Sequence, residues 1–457
     1  MPTDINLSHK ELEDIANKYN TPFYLYDKKS IKTHAKFYMN TFKKYFPNFE
    51  QYYAVKALPN PSILKILKKC GMGFDCSSPE EIQIIKFLDM TTLNKNKSTI
   101  MYTSNYTSKS DLEWVLQNSE NTIINLDSID CFQNLLDAST DTDIKIPDVI
   151  CFRYNPDFTN NTDVKSNNFS GDDTKFGMDF ENMIKAYKLA KDKGIKNFGI
   201  HVMAQSNCID INKWYDLIDH MFKIIYKIKN LLQIDIKFID IGGGIGIPYK
   251  PEQKEINLEK LVLIIRKRFD YNINKYNIIE PQLMTECGRY ITGSFGWLVS
   301  RCQSIKNTDK TIFYGLDASM ANLMRPGMYN AYHHITIPRI SYIEDLEKAN
   351  VVGTLCENND WFCKQRDLPK GIKKGDLFVI HDCGAHAYSM GFNYNSKLHC
   401  PEILLTQNGI KQIRKREDID YHLQNTSMWI NHDNTCKFMG LFVIILFIVF
   451  LHYCNFV

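Results

Sequence analysis

The sequence predicts an α/β protein: a (β/α)8 barrel of the TIM type, followed by a second, all-β domain of sandwich or open-barrel type. Three observations lead there. Eight short apolar, β-branched runs recur at regular spacing. Helical patterns, with apolar residues three or four apart, follow most of them. After about residue 290 those patterns give way to short strand-like runs split by turn residues. Eight alternations over about 230 residues are the count and size of a closed barrel. A doubly wound open sheet is the alternative that counting alone leaves open.

In order along the chain, segment 1–30 contains TPFYLYD, read as an edge strand joining the β domain. The barrel is expected over 31–290. Its strands are QYYAVK (51–56), MGFDCS (72–77), STIMYT (98–103), NTIINL (121–126), DVICFRYN (148–155), NFGIHVMA (197–204), IKFIDIG (236–242) and QLMTECG (282–288). Helical patterns fall at 61–70, 79–88, 108–117, 127–137, 180–194, 212–232 and 258–269. Pro61 and Pro79 sit where a first helical turn tolerates proline, and Gly194 follows a helix end. Segment 156–175 lacks apolar periodicity and reads as a mobile polar loop. The β domain, 291–435, is carried by WLVSRCQSI, KTIFYGLD, HHITIPRI, KANVVGTLC, DLFVIHDCG and PEILLT. From Phe438 to Val457 no Asp, Glu, Lys or Arg occurs. The apolar tail 436–457 reads as a membrane anchor long enough to cross about 30 Å of hydrocarbon. A non-essential extension or a buried helix at an oligomer contact is the alternative.

Of the 457 residues, 44% are hydrophobic and 23% charged, which excludes wholesale disorder, collagen and a multi-span membrane protein. Fifty-five Lys and Arg nearly balance 52 Asp and Glu, for a net +3, so no broad face for nucleic acid is implied. Thirteen cysteines, an odd number with no C-x-x-C, argue against a disulfide scaffold or structural zinc site and for a reducing, cytoplasmic setting. No metal is called for, and the N-terminus shows no secretory signal.

Barrel enzymes react at the C-terminal ends of their strands. There the sequence offers Lys56 after the first strand and His201 on the sixth, with Gln205 and Ser206 beyond. Gly242-Gly243-Gly244-Ile245-Gly246 follows the seventh, and Glu286 ends the eighth with Arg289 three residues on. Each has a plainer reading: a solvated edge lysine, a core histidine, a strand-to-helix turn. The apolar run before Lys56 predicts an amine whose pKa burial lowers, making it a nucleophile for a carbonyl. Glycines after the seventh strand let backbone N–H groups approach a phosphate. No G-K-S/T follows, so a nucleotide P-loop is excluded, and the dinucleotide fingerprint would belong after the first strand. A buried Glu286 needs a cationic partner, and a protonated ring nitrogen would serve. Amine, phosphate loop, flat-ring neighbour and carboxylate together describe a cradle for pyridoxal 5'-phosphate.

Y-A-V-K-A-L-P-N (53–60), G-G-G-I-G-I-P-Y (242–249), E-C-G-R-Y (286–290), D-A-S-M-A-N-L-M-R-P-G-M-Y (317–329), C-E-N-N-D (356–360) and G-A-H-A-Y-S-M-G-F-N-Y-N (384–395) resemble the motifs of the diaminopimelate decarboxylases. These belong with the ornithine and arginine decarboxylases among the alanine-racemase-like pyridoxal phosphate enzymes. The resemblance covers about residues 20–410. It implies a homodimer with shared active sites that decarboxylates meso-diaminopimelate to L-lysine. It casts Lys56 as the lysine that carries the cofactor and Glu286 as the partner of the pyridine nitrogen. Gly243, Gly244, Gly288 and Arg289 stand at cofactor contacts, as do His201, His386 and Tyr388. Arg289, Arg325, Tyr329 and Tyr388 stand at substrate contacts. Cys356, as proton donor, and Glu357, facing the distal amino group, would enter from the second subunit. Glutamate after that cysteine, with R-P-x-M-Y, favours diaminopimelate over ornithine, arginine or carboxynorspermidine. A non-catalytic regulatory homologue is the rival of another class.

The pattern departs from the family in three places. His386 stands where a tyrosine normally meets the phosphate, with Tyr388 two residues on as a substitute. Met203 replaces the histidine that stacks on the ring. Cys287 replaces the proline of E-P-G-R.

Overall fold

The computed structural model describes residues 3–94, 97–120, 122–156, 174–340 and 345–427. Most of the polar loop expected at 156–175, and all of the apolar tail 436–457, lie outside these. Among the described residues no helix is long and apolar enough to cross a membrane.

Eight parallel strands close into a barrel. In chain order they are Glu50–Ala54, Gly73–Cys76, Ile100–Thr103, Ile123–Leu126, Val149–Tyr154, Asn197–Val202, Ile236–Asp240 and Gln282–Thr285. The last pairs with the first through Met284 opposite Glu50, which excludes the open sheet. The helices between them start where their sequences cap them. Asn60, Ser78, Ser108, Ser128, Asp179, Asp210 and Asn257 each accept a backbone N–H of the first turn, and Pro61 and Pro79 take the first helical positions.

The two-residue period of a strand divides the barrel interior into layers. Tyr52, Met101, Cys151, Phe238 and Met284 pack together as an apolar floor. Gly199 makes room for it: a Cβ there would lie 2.0 Å from the Phe238 ring. Two residues further along the same strands, pointing the same way, come Thr103, Arg153, His201, Asp240 and Glu286. Asp75 and Asn125 join them from the second and fourth strands, and all seven are buried. The apolar floor thus carries a polar ceiling at the C-terminal end.

The second unit is built on the twelve-residue strand Gly296–Asn307. Its first half pairs with Phe23–Asp27 and Leu377–Ile380, and its second half with Ile312–Leu316. The segment TPFYLYD is not an edge strand. Phe23–Asp27 runs antiparallel to Gly296–Val299 and parallel to Glu402–Leu405, inside the sheet. The reason is visible in its burial. Phe23 and Leu25 pack under helix His9–Tyr19, while Tyr24 and Tyr26 join the main core. Both faces are covered, as an interior strand requires. Tyr26 and Asn60 donate to the two oxygens of the buried Glu402 at 2.8 and 2.7 Å, tying the sheet to the barrel.

Candidate active site

Lys56 lies in a short 3-10 turn, Val55–Ala57, just past the first barrel strand. Its amine donates to Asp75 at 2.9 Å and to Ser77 at 3.1 Å. The side chain is ringed by protein yet half open (50%) to the cleft. The expected lowering of its pKa is reversed. Burial pulls the amine down, but the carboxylates of Asp75, Glu286 and Glu81 outweigh it and hold Lys56 above the ordinary lysine value. Asp75 in turn is pushed up to about 7 by its burial and by Glu286, against the pull of Lys56.

Glu286 stands at the centre of the polar ceiling. Thr103 donates to its Oε1 at 2.9 Å, and His201 Nε2 lies 3.2 Å from its Oε2. Burial works to raise Glu286, but the His201 ring, the Lys56 amine and the Thr103 hydroxyl lower it to about 2. Burial lowers His201 against the pull of Glu286, and the Lys56 amine joins His201 in holding Glu286 down. Asp240 accepts the Gly242 N–H at 2.7 Å, and burial beside Glu286 raises it far above a usual carboxyl. His201, Asp240 and Glu286 bring one donor atom each within 4.8 Å of one another, a spacing a cation would also fit. One oxygen of each carboxyl is already engaged by a protein donor, Gly242 N–H on Asp240 and the Thr103 hydroxyl on Glu286.

The glycine run turns away from the seventh strand beside this ceiling. Gly242 and Gly244 have φ of +69° and +89°. A Cβ on Gly244 would lie 2.3 Å from the Gln205 carbonyl oxygen, and one on Gly243 2.9 Å from that of Glu286. The run is locked to the segment after the sixth strand. Cys208 N donates to Gly244 O at 2.7 Å, and Gly246 N to Cys208 O at 2.9 Å. Met203, in the place of the family's stacking histidine, puts its sulfur against Gly242. Gly288 is required for packing: a Cβ there would lie 2.7 Å from that of Ala57, next to Lys56.

The second unit closes over Lys56. His386 N donates to Ala57 O at 2.9 Å, and Ser389 reaches the same oxygen at 3.4 Å. His386 adopts φ +55°, and burial together with Arg289, Arg325 and Lys56 holds its ring well below the usual histidine value. Tyr388 packs edge-on to Tyr24 and under the Arg414 guanidinium. Arg289 and Arg325 converge on one hydroxyl, that of Tyr249; the Arg325 bond is 2.7 Å. Tyr329 ends the five-residue helix that Arg325 begins, and is exposed.

Cys356 and Glu357 are not brought into this cluster. Both are exposed, on the loop after strand Leu346–Val352. Cys356 N donates to the Asn395 side chain, and Asn359 N to Glu357. The buried Asp360 carboxylate braces the loop, accepting the N–H groups of Met320 and Leu355 at 2.6 Å each.

The expected residues Lys56, His201, the glycines, Glu286, Arg289, Arg325 and His386 therefore meet at one mouth of the barrel. Sequence reasoning missed Asp75, Thr103, Arg153, Asp240 and Tyr249. Strand parity held the signal for the first four, since each points inward with the same phase as His201. A cavity of about 550 Å³ lies at the other mouth, between Tyr52, Ile123, Phe238 and Met284, away from these groups.

Several observations fit pyridoxal phosphate to this mouth. The amine is near the floor of an open cleft. The glycine cradle has no room for side chains. A buried carboxylate, Glu286, is held low by its neighbours in the same cluster. Residues 32–293 match the family of the pyridoxal-dependent decarboxylases, pyridoxal binding domain. Protein TabA of Pseudomonas amygdali pv. tabaci is 35% identical over 420 residues, 90% of this chain and 92% of its own. Diaminopimelate decarboxylase of Methanothermobacter thermautotrophicus is 30% identical over 404 residues, 88% of this chain and 91% of its own. The crystal structure of diaminopimelate decarboxylase from Helicobacter pylori complexed with L-lysine aligns with a TM-score of 0.79 at 28% identity. That alignment covers 90% of this chain and 99% of that one.

Proposed function

Because the chain belongs to the pyridoxal-dependent decarboxylase family, we propose that it is a carboxy-lyase that converts meso-diaminopimelate to L-lysine and carbon dioxide. The observation that carries the substrate is the pair of guanidinia, Arg289 and Arg325, drawn onto the Tyr249 hydroxyl. Decarboxylation consumes one carboxylate, so a two-arginine anion site beside the reactive amine calls for a substrate with a second. The names of the relatives at about 30% identity support the same reading.

Bound here, pyridoxal phosphate supplies an electron sink for the pair left when carbon dioxide departs. In this reading Lys56 would carry the cofactor, and the N–H groups of Gly243 and Gly244 would receive its phosphate, with His386 and Tyr388 at the rim. Glu286, held low by its neighbours, would keep a proton on the ring nitrogen. Arg289 and Arg325 fork onto the distal carboxylate and so orient the one that leaves. Tyr329 would join them from the end of the Arg325 helix. Cys356 delivers the replacing proton and Glu357 meets the distal amino group, both from the partner of a homodimer. The exposure of both supports that arrangement, with the Cys356 backbone held by Asn395 and Tyr394. All eleven described cysteines are free thiols, in keeping with a reducing cytoplasm.

The test is incubation with meso-diaminopimelate, assaying carbon dioxide and lysine with and without added cofactor. Ornithine, arginine and carboxynorspermidine complete the panel, since the name of the 35% identical relative specifies no substrate. Cofactor-dependent lysine formation is expected. Turnover of another panel member alone would reassign the substrate, and a purified protein that takes up no cofactor would point to a regulatory homologue.

A further inference from the structure

Two arginines held together without a carboxylate between them are an unbalanced charge, and the way they are held is specific. The Tyr249 oxygen accepts from Nη1 of both Arg289 and Arg325, which uses its two lone pairs. Both guanidinia also lie over its ring, at 5.7 and 4.7 Å from the centroid. His333 is fully buried and takes the second contact of Arg325 Nη1, at 3.0 Å from its Nε2. Its other nitrogen, Nδ1, lies 2.8 Å from the carbonyl oxygen of His381. A carbonyl only accepts, so Nδ1 bears the proton and Nε2 offers its lone pair to the arginine. The Tyr249 and His333 rings meet edge to face at 5.1 Å, so each fixes the other. Asp382, buried nearby, forms no hydrogen bond to either guanidinium. Arg325 therefore spends Nη1 on two neutral acceptors. Among the described residues its Nε–Nη2 edge has no hydrogen-bond partner, which leaves that edge and the charge for a ligand.

We propose that Tyr249 and His333 are positioning residues that join Arg289 and Arg325 into a single clamp for the distal carboxylate of a dicarboxylic amino acid. The clamp rests on the substrate reading above for its ligand, but not for its existence. A neutral tyrosine and a neutral histidine make such a clamp where an aspartate would not, because a carboxylate there would satisfy the arginines and repel the ligand.

The experiment titrates the holoenzyme calorimetrically with pimelate, the amine-free seven-carbon diacid, and with pimelamide, its uncharged diamide. Wild type is expected to prefer pimelate by about tenfold or more, the value of a charge-assisted contact. Tyr249→Phe keeps the ring and should lower that ratio about tenfold while pimelamide binding stays the same. With diaminopimelate its KM should rise and its kcat change little. His333→Gln, which keeps an acceptor, should retain most of the preference, and His333→Leu should lose it. Tyr249→Phe is the deciding variant if His333→Leu does not fold. An unchanged ratio in Tyr249→Phe, equal weakening of both compounds, or no preference in wild type overturns the clamp. Preference for pimelate without turnover of diaminopimelate would leave the clamp standing and sink the substrate assignment. Turnover with an insensitive ratio would do the reverse.

Discussion

His201 Nε2 and Glu286 Oε2 approach to 3.2 Å inside the barrel, where the two side chains are 1% and 6% exposed. The contact, with the Thr103 hydroxyl and the Lys56 amine, keeps a buried carboxylate ionised. Glu286→Gln keeps the shape and removes the charge. Cofactor should still load, since Lys56 and the glycine turn are untouched, while kcat falls by about two to four orders of magnitude. Absorbance of the bound cofactor and a turnover assay on one sample check this. Activity within tenfold of wild type would remove Glu286 from the chemistry.

Lys56 is held above the usual lysine value chiefly by Asp75, which outweighs burial together with Glu286 and Glu81. Attachment of an aldehyde needs the neutral amine, a minor species near pH 7 that grows about tenfold per pH unit. Loading of cofactor into apoprotein should therefore speed up as pH rises from 6 to 9. Asp75→Asn lowers the amine's pKa and should load faster at pH 7, whereas Lys56→Ala should show neither the bound-cofactor band nor turnover. Slower loading by Asp75→Asn at pH 7 would contradict the electrostatic account.

Cys356 and Glu357 lie outside the cluster around Lys56 in their own chain, which makes complementation the test of shared sites. Lys56→Ala and Cys356→Ala should each be nearly inactive alone. Mixed in equal amounts and allowed to exchange subunits, they should regain about a quarter of wild-type activity, because half the dimers then hold one intact site of two. No recovery after verified exchange would place both residues in a single subunit's site or in none.

His381 is buried, and burial with His334 beside it lowers its ring to about 4. The unfolded chain takes that proton near pH 6.5. Between the two values the unfolded state holds a proton the folded state lacks. Stability is therefore complete above about pH 6.5 and is lost as pH falls toward 4, by up to about 3 kcal/mol from this group. Urea titrations of wild type and His381→Gln across pH 7 to 4.5 should diverge, with the wild type falling more steeply. Parallel curves would show that the ring is not held neutral.

Much of the fold was legible because it is written in local periodicity. All eight expected barrel strands fall within two residues of the observed start, from Glu50–Ala54 to Gln282–Thr285, and the helices begin at their own caps. Closure was not legible, since hydrogen bonds between Gln282–Thr285 and Glu50–Ala54 join segments more than two hundred residues apart. The interior place of Phe23–Asp27 was hidden for the same reason: a strand's neighbours are not in its own pattern.

The sequence by itself determined which groups stand at the strand ends: Lys56, His201, the 242–246 glycines, Glu286 and Arg289. It did so because strand register and the glycine turn are set by adjacent residues. Only the tertiary structure decided what those groups are. Lys56 is a strongly basic amine and not a weak one, because Asp75, Glu286 and Glu81 arrive from other strands and helices. Arg289 and Arg325 stand together because both donate to the Tyr249 hydroxyl. Charge interactions act through space and depend on distance, so an amino acid's type fixes its possible chemistry while its distant neighbours fix its state.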